Sequence, residues 1–594
     1  MCGIVACRTR TRAVDYLLPA LRRLEYRGYD SVGVAVQTAD GSVVRLRTVD
    51  RIGALAGAVD GWAGPEFDGV GIGHTRWATH GPVSVANAHP HGDCSGRINL
   101  VHNGIIENAD ELRQSLRTAG HRFASAVDSE VICHLIEDQL AISTDLRVAV
   151  ESSLAALEGS WAIAVLEEGT GRVVVAANHS PLLVAHTATG VFAASDITAV
   201  AEWVDEFRVL EDGDVVELDG ENGSQVGMSD VAAPLMTRCL WRSHDADLSG
   251  YVDYMAREID EQPAAAARVI DGLADRVADG RLWKETELAP FQRLQIIGCG
   301  TSLNAGHVIV NLARRLGGLP AGLTVASEAG GDIVEPRTLG LAISQSGETA
   351  DVLHAVRHHA HGSGVLALTN NPHSTLARHA DAYVSCAAGL EIGVAATKTF
   401  VCQVIAGAAL MISALVATDR LSQGSAADLV EDMKRLPDAL AAAGTVAKCI
   451  VPLLAETLSP ATGFLFIGRG NAVPYAAEGA LKLKELTYRW AEHYPAGELK
   501  HGPLALIGSG TPVIAVHSAD PKLATNIAEV ETRGGHVISV GPAESTIPVG
   551  GNPSAPWGPL ESVVPLQMLA RTLGLALGWD VDKPRNLAKS VTVE

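Results

Sequence analysis

A short apolar run ending in glycine, then a loop of small residues, then a helical pattern, occurs twice in the second half of this chain. That recurrence constrains the fold more than any other feature. Leu294–Gly298 (LQIIG) leads into Cys299-Gly300-Thr301-Ser302 and a helical pattern through Arg315; Gly463–Ile467 (GFLFI) leads into Gly468-Arg469-Gly470. Leu339–Ile343, Gly364–Leu368, Thr511–Val516 and His536–Val540 read as further strands. Such alternation buries a parallel sheet between helices on both faces. Two tandem α/β units with parallel sheets are therefore expected, at 283–424 and 455–585.

The first part is patterned differently. Short strands are expected at Trp161–Leu166, Arg172–Ala177, Leu182–Val184 and Asp214–Glu217. Asn108 with Glu111 reads as a capping-box helix start that Gly120 closes, and a second helix runs from Asp128-Ser129-Glu130 to about Leu140. Residues 2–218 form an α+β domain by this reading. Turn formers without periodicity place a linker at 219–245.

With 594 residues, several domains fit. Hydrophobic residues are 47% and charged residues 19%, the balance of a folded globular protein. A net charge of −22 argues against nucleic acid or an anionic membrane as partner, although a local basic pocket for a small anion is compatible with it. The nine cysteines stand singly with no CxxC pair, which reads as reduced thiols in a cytoplasmic protein. No signal-peptide pattern follows Met1. Phe400–Thr418 is nearly long enough to span a bilayer, but it contains Gln403 and Ser413 and reads as a buried core helix.

Cys2 directly follows the initiator Met, and removal of that Met would leave a thiol beside a free α-amine able to act as its base. Around it lie Tyr26-Arg27-Gly28-Tyr29, then His74-Thr75-Arg76-Trp77-Ala78-Thr79-His80-Gly81, then His102-Asn103-Gly104. With these motifs, residues 2–218 resemble the class II glutamine amidotransferases, whose fold is an N-terminal-nucleophile α+β sandwich. The resemblance implies that Cys2 attacks the glutamine side-chain amide, and that the Asn103 side chain and the Gly104 backbone N–H form the oxyanion hole. It also implies that Arg76 and Asp128 hold the α-carboxylate and α-ammonium of glutamine, with Trp77, Thr79 and His80 lining that site. Asp128 is compatible with a helix cap at the same time.

In the second half, Ser344-Gln345-Ser346-Gly347-Glu348-Thr349 follows a strand and opens a helix, where hydroxyls and backbone N–H groups suit a phosphate. Thr301-Ser302 repeats the device. SQSGET resembles the phosphosugar signature of SIS domains. The blocks Glu478–Leu486, Gly497–Pro503 and Pro584–Glu594 extend the likeness, and Arg257–Pro263 fits the start of an isomerase half. From end to end the chain resembles the glutamine-dependent fructose-6-phosphate aminotransferases.

That resemblance implies L-glutamine and D-fructose 6-phosphate as substrates, with no cofactor and no metal. Thr301, Ser302, Ser344, Gln345, Ser346 and Thr349 would hold the sugar phosphate. Lys589 would form a Schiff base with C2, Glu485 would move a proton between C1 and C2, His501 would assist ring opening, and Lys482 would neutralise charge. Residues 586–594 would complete the sugar site. Ammonia would pass internally, with Trp77 as gate and Arg27 in a loop that orders the channel, and the protein would be a homodimer. Ala6-Cys7, Ala396, His493-Tyr494-Pro495 and Lys583 depart from the family pattern. They leave open another keto-sugar phosphate as acceptor, and a non-catalytic sugar-phosphate sensor is a further alternative.

His74, His80, His89, His91 and His102 fall close together with Cys94 nearby, and Arg357-His358-His359-Ala360-His361 forms a second histidine run. Neither spacing matches a common zinc pattern, so neither is expected to hold a metal.

Overall fold

The computed structural model describes residues 2–78, 81–219, 236–241, 248–359, 364–552 and 554–592. They fall into two compact units, Met1–Asp247 with Ser590–Glu594, and Leu248–Lys589.

In the first unit, residues alternate sides along each strand, and that alternation builds four layers. The strand Gly3–Thr9 turns Val5 and Cys7 toward the helices Val14–Leu24 and Ile52–Asp60, where Leu17, Leu21, Leu24 and Leu55 meet them. Its Ile4 and Ala6 face the other way, into a second core shared with Val101, Ala162, Ala164 and Val175. Those residues belong to a five-stranded sheet whose far face packs on the helices Glu130–Ile142 and Leu146–Leu154 through Val131, Ile136 and Val150. The unit is thus helices, an eight-stranded sheet, a five-stranded sheet and helices, with antiparallel pairing in both sheets. This is the expected α+β sandwich. Gly3–Thr9 lies centrally, paired with Phe67–Arg76 on one side and Gly190–Ala194 on the other.

Two local expectations need correction. The helix Ala109–Ala119 ends on a left-handed Gly120 as expected, but the Asn108 side chain does not cap its start. It donates from Nδ2 to Ala156 O (2.9 Å) and accepts from Glu158 N (3.1 Å), tying two loops together instead. Much of the expected linker, 220–235 and 242–245, lies outside the described residues. Within the part that is described, Thr237–Arg238 pairs with Glu206–Phe207 and so extends the eight-stranded sheet.

The second unit holds two five-stranded parallel sheets. Spatial order in the first is Ala321–Val325, Arg293–Gly298, Thr338–Ser344, Val365–Thr369, Ala382–Ser385. The second runs Trp490–Pro495, Gly463–Gly468, Pro512–Val516, His536–Gly541, Ile547–Pro548. One continuous core joins both, through the helices Gly300–Gly317, Lys398–Ala417, Leu436–Leu458, Val473–Thr487 and Val563–Ala576. Lys398–Ala417 contains the apolar stretch weighed against a membrane span; every residue from Lys398 to Val416 is buried within the unit. Residues 254–273, to which the sequence reading gives no domain, form two helices of this same core.

Strand order also places the loops expected to hold a phosphate. Arg293–Gly298 has its predecessor-in-space on one side and Thr338–Ser344 on the other, so the chain reverses direction of winding between these two strands. Parallel α/β sheets bind ligands at such a switch, beyond the carboxyl ends of the strands. The loops at Cys299–Ser302 and Ser344–Thr349 both begin there, side by side.

Candidate active sites

In the first unit, Cys2, the candidate nucleophile, sits where the central strand begins. The Cys2 thiol donates to Trp77 O (3.4 Å) and accepts from Trp77 N (3.2 Å). Burial pushes this thiol above its ordinary pKa, while Arg76 and the Trp77 backbone act in the opposite direction. Arg76 ends the neighbouring strand and is buried, in the field of Cys2, Asp30 and Asp128. Asp30 accepts from Ala78 N (2.8 Å), holding the turn after Arg76.

Asn103 reaches this nucleophile from the second sheet. Its Nδ2 donates to Cys2 O at 3.0 Å, and its Oδ1 accepts from His74 Nε2, also at 3.0 Å. His74 Nε2 is 3.0 Å from His102 O as well, so this nitrogen carries the proton. Burial holds the His74 pKa down to about 3, so the ring is neutral. Held by its oxygen, the amide has only one way to point its donor. Gly104 follows with φ +128°, and a Cβ there would lie 2.0 Å from Ser160 O; no other residue fits the position.

Asp128 accepts from Ile106 N (2.9 Å) and from Ser129 N (2.9 Å), so it links the strand Ile98–Ile106 to the helix Glu130–Ile142. Arg27 is buried and paired with Asp196, which also accepts from Tyr26 Oη (3.1 Å). The Trp77 ring stands edge-on to Tyr29, centroids 5.5 Å apart. Thr79 and His80 lie outside the described residues. The structure thus brings Cys2, Arg76, Trp77, Asn103, Gly104 and Asp128 to one end of the sandwich. Sequence reasoning gave His74 no role; a histidine two residues before an arginine on a strand carries no linear signal that it orients an amide.

The other nearby histidines are also buried. His89 stacks on His74 (4.1 Å) and meets His91 edge-on (4.4 Å), and burial lowers the pKa of both.

In the second unit, the loop after Thr338–Ser344 is closed on itself. Ser344 Oγ accepts from Gly347 N (3.0 Å) and lies 2.9 Å from Thr349 Oγ1; Ser346 Oγ accepts from Glu348 N (3.1 Å). Gln345 O accepts from Asn370 N (3.2 Å). Gly347 has φ +67°, and a Cβ there would lie 2.0 Å from Ser374 Oγ. The helix Ala350–His359 begins directly afterwards, so its N-terminal N–H groups face the same crevice as the hydroxyls. Thr301 and Ser302 are used otherwise. Thr301 Oγ1 donates to Glu478 Oε1 (3.1 Å), and Ser302 Oγ accepts from Gln403 Nε2 (3.0 Å).

Glu478 lies on Val473–Thr487 and starts a buried charge row along one helix face. Lys482 Nζ is 3.6 Å from Glu478 and 2.6 Å from Glu485 Oε2. Burial works to discharge Lys482, but the two carboxylates win and its pKa rises; burial raises Glu478. Asn304 Nδ2 also donates to Glu478 (2.8 Å), so the first α/β half and the second are joined through this carboxylate.

Lys589 lies in an irregular tail segment of bends and a turn, whose Asp582 carboxylate accepts from Tyr254 N and Met255 N and whose Asp582 O accepts from Val394 N. Its Nζ donates to Glu391 Oε2 (2.6 Å) and Gly393 O (2.7 Å). Glu391 accepts from Thr397 N and Thr399 N, both at 2.9 Å. Burial opposes its charge, yet Lys589 and these N–H groups hold its pKa at about 2. Beside it, burial and the Glu391 charge push Glu258 up to about 8, and Glu258 Oε2 finds no hydrogen-bond partner among the described residues. The field of Glu391 also reaches Lys482, which links the two charge clusters. Glu391, Glu258 and Glu478 escaped sequence reasoning. The usable signal was a carboxylate inside an otherwise apolar, glycine-rich run, as in Leu390-Glu391-Ile392-Gly393.

His501 is not brought to these residues. It is exposed at the end of the turn Ala496–His501, and among the described residues no hydrogen bond or ion pair joins it to Lys482, Glu485 or Lys589. In the second α/β half, the loop matching Cys299–Ser302 is filled by Arg469, which donates to Asp520 (3.0 Å) and Asn526 (3.1 Å).

Comparison with known proteins agrees with this division. A glutamine amidotransferase domain model matches residues 74–202, and a SIS domain model matches 287–413 and 457–546. A Thermus thermophilus protein named glutamine–fructose-6-phosphate aminotransferase (isomerising) is 41% identical over 617 residues, spanning all of both chains. A Pseudomonas aeruginosa protein of the same name is 40% identical over 627 residues, again across both full lengths. The solved C-terminal domain of glucosamine-fructose-6-phosphate aminotransferase from Francisella tularensis covers 57% of this chain and 100% of its own, with 34% identity and a TM-score of 0.52. The chain belongs to the glutamine–fructose-6-phosphate aminotransferase (isomerising) family.

Proposed function

We propose that the chain converts L-glutamine and D-fructose 6-phosphate into L-glutamate and D-glucosamine 6-phosphate. The observation that carries this reading is the pairing of a buried lysine, Lys589 on Glu391, with a hydroxyl-rich helix start at Ser344–Thr349, in a chain that also presents Cys2 beside Asn103 and Gly104.

On the glutamine side, the Cys2 thiolate attacks the side-chain carbonyl carbon. Negative charge gathers on the oxygen, where Asn103 Nδ2 and the Gly104 N–H receive it, and ammonia leaves. Two such donors are typically worth several kcal/mol in the transition state. Water then cleaves the thioester to glutamate. Arg76 pairs with the α-carboxylate, as a guanidinium fork suits it, and Asp128 with the α-ammonium. Thr79 and His80 belong to the same proposed glutamine site.

On the sugar side, Ser344, Gln345, Ser346 and Thr349 hold the phosphate, with Thr301 and Ser302 bordering the crevice. Lys589 attacks C2 and loses water to give an imine, and Glu391 neutralises its positive charge. Ammonia replaces Lys589 at C2. Glu485 then takes a proton from C1 and returns it to C2, with Lys482 balancing the carboxylate. His501, exposed in a single chain, acts on ring opening from a second copy in a homodimer. Ammonia passes internally, with Trp77 as gate and Arg27 fixing its loop. We further propose a cytoplasmic protein that binds neither nucleic acid nor membrane.

The test is simultaneous measurement of glutamate and glucosamine 6-phosphate from purified protein given glutamine, with and without fructose 6-phosphate. Equal amounts of both products, with glutamate release stimulated by the sugar, are expected. Glutamate without amino sugar overturns the acceptor assignment. With amide-¹⁵N glutamine and excess unlabelled ammonium, full label in the product is expected; dilution of the label overturns internal transfer.

A further inference from the structure

Away from both active sites, four side chains of metal-ligating type converge in the first unit. Cys94 lies in the turn before the strand Ile98–Ile106, His121 follows the helix Ala109–Ala119, and His134 and Glu137 share one face of the helix Glu130–Ile142 at i and i+3. One ligand atom from each falls within 4.8 Å of every other. Cys94 Sγ is 3.7 Å from His121 Nδ1 and 3.6 Å from His134 Nδ1. Glu137 Oε2 is 3.1 Å from His121 Nδ1 and 3.2 Å from His134 Nδ1. A tetrahedron with bonds of about 2.0–2.3 Å has edges of about 3.4 Å. Four of the six edges here are 3.1–3.7 Å.

The surroundings of these atoms point the same way. The outer nitrogen of His121 is hydrogen-bonded to a carboxylate, Nε2 to Asp138 Oδ1 at 2.9 Å, while His134 Nε2 lies 3.7 Å from Glu130 Oε1, beyond hydrogen-bond distance. Metal-bound histidines characteristically have such partners, which fix the tautomer and leave the inner nitrogen's lone pair for the ion. Cys94 Sγ accepts from Arg122 N at 3.3 Å, a contact that suits a thiolate.

We propose that Cys94, His121, His134 and Glu137 bind one divalent zinc ion as a closed, four-ligand structural site. One thiolate, two imidazoles and one carboxylate in tetrahedral array select zinc over magnesium or calcium. The histidine run weighed in the sequence lies elsewhere; of its neighbourhood only Cys94 takes part. Binding stitches the turn at 94 and the segment 121–129 onto the helix Glu130–Ile142. Glu130 extends the brace, accepting from Ala124 N (2.6 Å) and Ser125 N (2.7 Å). The braced segment ends at Asp128, so the ion stiffens the chain that presents this carboxylate.

The full-length chain is purified without chelators and its metal content measured, then stripped and titrated with cobalt(II). About one zinc per chain is expected, along with stoichiometric cobalt uptake that gives a thiolate-to-cobalt band in the near ultraviolet and strong tetrahedral bands in the visible. Cys94→Ser should remove the near-ultraviolet band, and Cys449→Ser, a change at an exposed cysteine elsewhere, should keep it. Should Cys94→Ser fail to fold, His121→Gln replaces it, with at least a tenfold loss of cobalt affinity expected. Wild-type protein that takes up neither metal stoichiometrically, a near-ultraviolet cobalt band that survives Cys94→Ser, or unchanged cobalt affinity in His121→Gln overturns the proposal.

Discussion

Lys589 and Glu391 stand 198 residues apart in the chain and 2.6 Å apart in the fold, with side chains only 3% and 0% exposed. The lysine proposed to hold the sugar is therefore placed by a carboxylate that can pair with little else. Replacing Glu391 with Gln should cut amino-sugar formation at least 100-fold and leave basal glutamine hydrolysis nearly unchanged. It should also destabilise the second unit by about 3–5 kcal/mol, the usual cost of leaving one buried charge alone. Because the Glu391 pKa is depressed from 4.5 to about 2, its stabilisation is complete above pH ~4.5 and is lost as pH falls toward 2. The variant should lose that acid slope, read by chemical denaturation at a series of pH values. Unchanged synthesis would show that Lys589 needs no such partner.

Glu258 makes the opposite prediction. Its pKa is raised from 4.5 to about 8, so the folded protein holds a proton there that the unfolded chain gives up above pH ~4.5. Stability from this group therefore falls as pH rises from about 4.5 to 8. Glu258→Gln, which copies the protonated acid, should gain stability over the wild type as pH climbs through that window. Melting curves at pH 5 and pH 8.5 decide it; an equal offset at both would refute the assignment.

Asn103 owes its orientation to His74. Asn103→Ala should lower kcat for glutamine hydrolysis by about 10²–10³ through loss of one oxyanion donor. His74→Phe should lower kcat about tenfold with little change in KM, since the amide stays but is free to turn. A His74→Phe enzyme with wild-type kcat would show that Asn103 is held by other means.

Gly347→Ala should distort the loop Ser344–Thr349, because the new methyl meets Ser374 at 2.0 Å in a left-handed conformation. The expected result is a KM for fructose 6-phosphate raised tenfold or more, with glutamine hydrolysis in the absence of sugar unaffected. An unchanged KM would place the phosphate elsewhere.

Much of this was legible before any coordinates. Strands such as Arg293–Gly298 and Gly463–Gly468 announce themselves by mainly apolar runs closed by glycine, and their alternation with helices announces parallel sheets, though not the order of the strands within them. Cys2, Asn103 and Gly104 stand in contiguous motifs. What stayed hidden depends on contacts between distant segments. Asn108 looked like a cap, yet its amide was better used bridging two loops. That Thr301, expected at the sugar phosphate, donates its hydroxyl to a carboxylate 177 residues away was likewise not legible from its motif. His121 and Cys94 share no spacing rule, because the fold and not the sequence interval sets their separation.

The tail that carries Lys589 also bears on how the molecule matures. Glu391 belongs to the first α/β half, whereas its cation is carried on the tail beyond the second half, in the segment after Asp582, whose carbonyl accepts from Val394 N. Until the tail docks the carboxylate is a liability, and any partly assembled state carries it uncompensated. Completion of folding and the proposed readiness for catalysis thus coincide: a chain whose tail has not docked is less stable and lacks the lysine proposed to hold the sugar.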